Sequence, residues 1–153
     1  MSSVIQISPR TVKVWEWTLR VVIGTVFIYA GWLKVQDPAG FADGVGSFAI
    51  LPKWSIAAFV LALPIFEILA GTLLIIGRPR RIGALALTLL TSTFCIALMW
   101  AIARGLKVNC GCFGPSVSAV DSSIDLARDL AILLGCCFLY CADRFHRFIT
   151  VRG

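Results

Sequence analysis

The chain has 153 residues, 59% of them hydrophobic and 14% charged, with 14 Lys and Arg against 8 Asp and Glu for a formal net charge of +6. A mean hydropathy of +0.90 is far from the balance of a soluble domain, and the length suits one domain. Most of the basic charge falls at the chain ends and in the turns flanking apolar runs, which speaks against a nucleic-acid face and for a membrane.

A spanning helix needs about 20 mostly apolar residues. Four such stretches can be placed, at about Val14–Leu33, Trp54–Ile76, Ile82–Ile102 and Ile124–Tyr140. The expected fold is therefore all-α, an integral-membrane four-helix bundle in a single domain covering residues 1–153. A greasy soluble bundle is the alternative, and runs this long argue against it. Trp15, Trp17, Trp32, Trp54 and Trp100 sit where membrane–water boundaries should fall. The first run could pass for a signal peptide, but its polar lead is long. No small-x-small cleavage site follows Val21–Tyr29, so it reads as retained.

Span one is interrupted by Glu16 and Arg20, the latter placed to snorkel outward. Arg20, Gly24, Phe27, Gly31 and Lys34 recur at spacings of three or four and share a face. The glycines would let another helix approach closely. Lys34, at the outer boundary, reads on its own as a snorkelling lysine. In the loop that follows, Asp37 can cap a helix that has Pro38 at its first position. Phe41, Val45 and Phe48 then recur at helical spacing. A short amphipathic helix on the outer surface or over the bundle mouth is expected, with an ordinary hydrophobic loop as the alternative.

Span two carries Glu67 about halfway along, after Pro64. A carboxylate at that depth needs a partner or a cavity. Span three is almost featureless, and Cys95 within it reads as a small buried hydrophobe. Span four opens on Asp121, Ser122 and Ser123, which suit a helix start. Asp125, Arg128, Asp129, Ile132 and Cys136 then fall on one side. That polar stripe should point inward, with Arg128 able to pair with Asp125, Asp129 or Glu67. Cys136, Cys137 and Cys141 read as packing cysteines.

Nine basic residues (Arg10, Lys13, Arg20, Arg78, Arg80, Arg81, Arg144, Arg147, Arg152) fall on one side, against Lys34, Lys53, Arg104 and Lys107 on the other. Basic residues favour the cytoplasmic side, so both termini should be inside. The segment from Gly105 to Pro115, with Cys110-Gly111-Cys112 in it, should then face outward, where disulfides persist. Two thiols are too few for zinc, and His146, the single histidine, lies on the other side. A disulfide across one residue is tight and so more oxidising. Gly111 eases the turn, and Lys107 would stabilise a thiolate. These features suit a bond that is made and broken; an inert staple is the alternative.

Lys34-Val35-Gln36-Asp37-Pro38 with Phe41, Leu51-Pro52, Leu63-Pro64 with Glu67 and Gly71, Arg104-Gly105, Cys110-Gly111-Cys112-Phe113-Gly114 and Arg128-Asp129-Leu130 together resemble the methylamine-utilisation MauE family. That family belongs to the wider DoxX-like group of small four-span membrane proteins. The resemblance runs from about Arg20 to Cys141, and Cys136, Cys137 and Cys141 lie outside its motifs. It implies a multi-pass inner-membrane protein linked to maturation or export of a periplasmic, disulfide-rich methylamine dehydrogenase small subunit. A thioredoxin-like protein and the cysteine-rich client are the implied partners, alongside membrane lipid. Cys110 and Cys112 would do the exchange, and Lys34, Glu67, Arg128 and Asp129 would organise the bundle mouth or bind a cofactor. Two alternatives stand beside this: a non-enzymatic membrane anchor or assembly factor with a structural disulfide, and a DoxX-like quinone-linked oxidoreductase subunit with quinone near Glu67.

Overall fold

The computed structural model describes residues 9–48, 50–76, 80–105 and 122–151. All regular structure among them is helical: α1 Pro9–Gln36, α2 Pro38–Ser47, α3 Lys53–Ile76, α4 Arg80–Ala103 and α5 Ser122–Val151. Helix α1 packs on α3, α3 on α4, α4 on α5 and α5 back on α1, while α2 lies against α3.

Among the described residues, three helical segments are long and apolar enough to cross a membrane: Val14–Gln36, Lys53–Ile76 and Arg81–Ala103. Their outward faces carry exposed Leu61, Ile65, Leu69, Leu89 and Ile96, a surface suited to lipid and not to water. All five tryptophans are exposed. Helix α5 differs. Its uncharged run covers residues 130–142, which rises about 20 Å against a hydrocarbon core of about 30 Å. The four expected spans thus divide into three that meet the apolar requirement and one whose outer third is charged.

The α1 face forms as its periodicity requires: Arg20, Gly24, Phe27, Gly31 and Lys34 are all buried. The glycines set the distance to α3. A methyl group at Gly24 would stand 2.8 Å from the Gly71 carbonyl oxygen, and one at Gly31 would stand 2.9 Å from that of Pro64. Seven residues forward along α1 match seven backward along α3, so the helices are antiparallel in a fixed register. Helix α3 continues through Pro64. Below this contact Ile23, Phe27, Ala70, Leu74, Leu87, Cys136 and Leu139 form the main apolar core.

Helix α2 starts where expected. Asp37 caps it, its Oδ1 accepting from the Gly40 amide at 2.9 Å, and Pro38 takes the first turn. Phe41 is buried with Val60 and Leu63, and Val45 packs beside it. The α1–α3 register explains the position. Continued outward, it leaves the first turns of α3 beyond the end of α1, and α2 covers that overhang.

Candidate functional site

Carried on along the register, Lys34 lies opposite Leu61, six residues outward of Glu67, or about 9 Å along the axis. Side chains lean toward the N-terminus of their own helix. In antiparallel helices that tilt brings these two together, Lys34 reaching down and Glu67 reaching up. Lys34 Nζ donates to both carboxylate oxygens of Glu67 at 2.7 Å. The two residues are 2% and 1% exposed. Above the ammonium, the Phe41 ring centroid lies 5.4 Å from Nζ and that of Phe94, from α4, 5.7 Å. A cation facing two rings gains from their quadrupoles, most of all where water is excluded.

Lys34 therefore does not snorkel. An exit toward the interface is covered by Phe41 of α2, and the carboxylate below offers two charge-assisted hydrogen bonds. Of the partners open to Arg128, Asp129 is taken, and Glu67 pairs with Lys34 instead. Both Glu67 oxygens are taken by Lys34, while Arg128 Nε and Nη2 turn to the adjacent Asp129 Oδ1 at 3.3 and 3.2 Å. Asp129 is buried and Arg128 half-buried. Of the four charged residues singled out, two pairs form: one between helices and one within α5. The side chain of Asp125 lies outside the described residues.

Arg20 likewise does not reach outward. It is buried, and its Nη2 donates to Glu16 Oε2 one turn earlier at 3.5 Å. At that same end, Arg81 stacks on Tyr140 at 5.4 Å and donates to its hydroxyl at 3.3 Å, joining α4 to α5. Helix α4 also has a feature its sequence hid. Thr88, Thr91, Ser92 and Thr93 each donate to the carbonyl four residues back, at 2.7 to 2.9 Å. Hydroxyls satisfied within their own helix can face lipid or core without a partner.

Cys110, Cys112 and Lys107 lie outside the described residues. What is described is how α4 stops before them. Gly105 adopts φ +66 and its amide donates to the Ile102 carbonyl at 2.9 Å, a left-handed residue closing the helix. Cys95 and Cys136 are buried in the core, as expected of packing cysteines, and Cys137 is half-buried, but Cys141 is exposed and does not pack. Among the described residues no group of three or more His, Cys, Asp and Glu could hold a metal ion.

A family model described as methylamine utilisation protein MauE matches residues 12–142. The chain belongs to the MauE family. The match takes in α2, α3, α4 and the Cys-Gly-Cys segment whole, with most of α1 and the part of α5 that holds Arg128 and Asp129. Both halves of the Lys34–Glu67 pair fall inside it, so the buried ion pair is part of the MauE-family region of the chain. No curated protein matches, and no solved structure does.

Proposed function

We propose that this MauE-family protein supports thiol–disulfide exchange during maturation or export of a periplasmic, disulfide-rich client of the methylamine dehydrogenase small-subunit type, through Cys110 and Cys112. The family match carries the reading, because it ties this chain to methylamine utilisation and encloses Cys110-Gly111-Cys112. The protein would be a multi-pass inner-membrane protein of four spans, both termini cytoplasmic and the Cys110–Cys112 segment periplasmic. A thioredoxin-like protein would be its exchange partner.

In each exchange, one disulfide breaks as another forms. A thiolate attacks one sulfur of the disulfide, the other sulfur leaves as thiolate, and the resulting mixed disulfide is resolved by the attacker's second thiol. Two electrons and two protons move with the exchange, so a client dithiol that becomes a disulfide leaves Cys110 and Cys112 reduced for the thioredoxin-like partner to reoxidise. The reverse flow uses the same steps. Lys107, three residues from Cys110, supplies a positive charge that favours the thiolate.

The Lys34–Glu67 pair supports a structural part for the charged cluster over a quinone contact. Both carboxylate oxygens and the ammonium are engaged within the protein. The pair would hold α1, α3 and α2 in one arrangement at the bundle mouth.

The test is trapping. Cys112→Ser and Cys110→Ser are each expressed with the natural partners, and acid-quenched cells are run on non-reducing gels. At least one variant should accumulate a reducible adduct, and Lys107→Glu should slow its formation. If neither gives an adduct and the double variant supports growth on methylamine as wild type does, the disulfide is a staple and the protein is an anchor or assembly factor.

A further inference from the structure

We propose that Cys137 and Cys141 of α5 together bind one soft monovalent cation of the Cu(I) class, in a linear two-thiolate site separate from Cys110 and Cys112. The two cysteines are four residues apart on one helix and so share a face. Their neighbour Cys136 turns inward, 0% exposed in the core with Leu87 and Leu139. Cys137 is half-buried and Cys141 exposed, so packing does not account for this pair.

Helical spacing decides what the two thiols can do. It holds their Cβ atoms about 5–6 Å apart, whereas a disulfide needs about 3.5–4.5 Å. The pair therefore stays a dithiol for as long as α5 stays helical. A metal ion closes a wider gap than a sulfur–sulfur bond does. Two metal–thiolate bonds in line, each of about 2.3 Å, span about 4.6 Å between sulfurs. Rotation about the two Cα–Cβ bonds brings the sulfurs to that separation without moving the backbone.

The ligand count names the ion. Soft thiolates favour Cu(I), zinc and iron–sulfur clusters. Zinc and the clusters take about four protein ligands, and no group of even three His, Cys, Asp and Glu is found among the described residues. Cu(I) is satisfied by two in line. On binding, both thiols give their protons to solvent, two S–Cu bonds form and copper stays Cu(I). The complex carries one negative charge, and Arg81 of α4 supplies the counter-charge. Its guanidinium lies 5.4 Å from the ring centroid of Tyr140 and donates to the hydroxyl at 3.3 Å. Tyr140 stands three residues after Cys137 and one before Cys141, on the α4 flank of the same side of α5. In the proposed topology this end of α5 faces the compartment that keeps thiols reduced.

The test uses the full-length chain in neutral detergent, reduced and kept free of oxygen, with Cys110→Ser and Cys112→Ser removing the other thiol pair. Cu(I) is added in competition with bicinchoninate, and retained copper is counted per chain. One Cu(I) per chain is expected, with two sulfur neighbours by X-ray absorption. Cys137→Ser and Cys141→Ser should each abolish retention, and Arg81→Gln should weaken it by up to about fivefold. Copper-free melting temperatures separate a lost ligand from a misfolded chain. Blocking the exposed Cys141 with a maleimide on the folded protein should give the same loss without a substitution. No copper held against the competitor, retention unchanged in either serine variant, a third sulfur neighbour, or one copper shared by two chains would each overturn the proposal.

Discussion

Lys34 and Glu67 are 33 residues apart in sequence and joined by two hydrogen bonds of 2.7 Å, out of reach of water. Each would be costly alone in an apolar interior, and together they tie the end of α1 to the middle of α3. Removing one partner of a buried pair costs about 3–5 kcal/mol, because the other is left uncompensated. Glu67→Gln and Lys34→Met should each lower stability by about that much in detergent, and the double variant should recover part of the loss. Arg128→Gln combined with Glu67→Gln should instead be additive, since Arg128 bonds to Asp129. The measurement is a double-mutant cycle from denaturation midpoints. Additivity within about 0.5 kcal/mol for Lys34 and Glu67 would remove the pair as a stabilising unit.

The same chemical change should have opposite signs at two glycines, one in the α1–α3 contact and one on α2. Gly24→Ala places a methyl 2.8 Å from the Gly71 carbonyl oxygen, a backbone atom that cannot rotate away. Overpacking of this kind costs about 1–3 kcal/mol. Gly46→Ala meets nothing nearer than 3.9 Å, and alanine stabilises a helix over glycine by about 0.5–1 kcal/mol. Thermal midpoints of the two variants should move in opposite directions from wild type.

The long helices were legible because apolar runs of spanning length have one physical reading, and α2 because Asp37-Pro38 carries both of its starting signals. The membership of the α1 face was legible from spacing alone. The partner of Glu67 was not. A carboxylate in span two calls for a cation, and the sequence leaves Arg128 open to Asp125, Asp129 or Glu67. Lys34 lies near a helix end, where a lysine usually snorkels. What decides is register, a tertiary quantity. The register that sets Gly24 against Gly71 and Gly31 against Pro64 is what brings Lys34 into reach of Glu67. The cover over Lys34 was equally hidden, since it needs Phe41 of α2 and Phe94 of α4 at one point. The hydroxyl ladder of α4 leaves no mark in the sequence, where threonines and serines in an apolar run read as neutral. Cys110-Gly111-Cys112 lies outside the described residues.

Phe41 is assigned two contributions, apolar burial against Val60 and Leu63 and ring contact with Lys34. Phe41→Leu keeps most of the first and removes the second. Its cost should be greater with Lys34 present than in the Lys34→Met background, by about 0.5–2 kcal/mol. Equal costs in both backgrounds, read from the same denaturation midpoints, would make Phe41 an apolar plug only.

Helix α5 decides how many times the chain crosses. Its uncharged run is short of a membrane's thickness, yet the Arg128–Asp129 pair, with Asp129 buried, lowers the cost of taking its outer third below the interface. With four crossings, Arg80 and Thr150 lie on one side and the Cys110–Cys112 segment on the other. With three, Thr150 joins the cysteine segment. Intact cells, reduced and then treated with a membrane-impermeant maleimide, should show labelling of native Cys110 or Cys112. Arg80→Cys and Thr150→Cys, in a background carrying Cys110→Ser, Cys112→Ser and Cys141→Ser, should stay unlabelled until the cells are opened. Labelling of Thr150→Cys alone would make α5 a non-spanning helix. Labelling of both introduced cysteines, with none at Cys110 or Cys112, would turn the protein over and place the thiols in the reducing compartment, where a standing disulfide would not last.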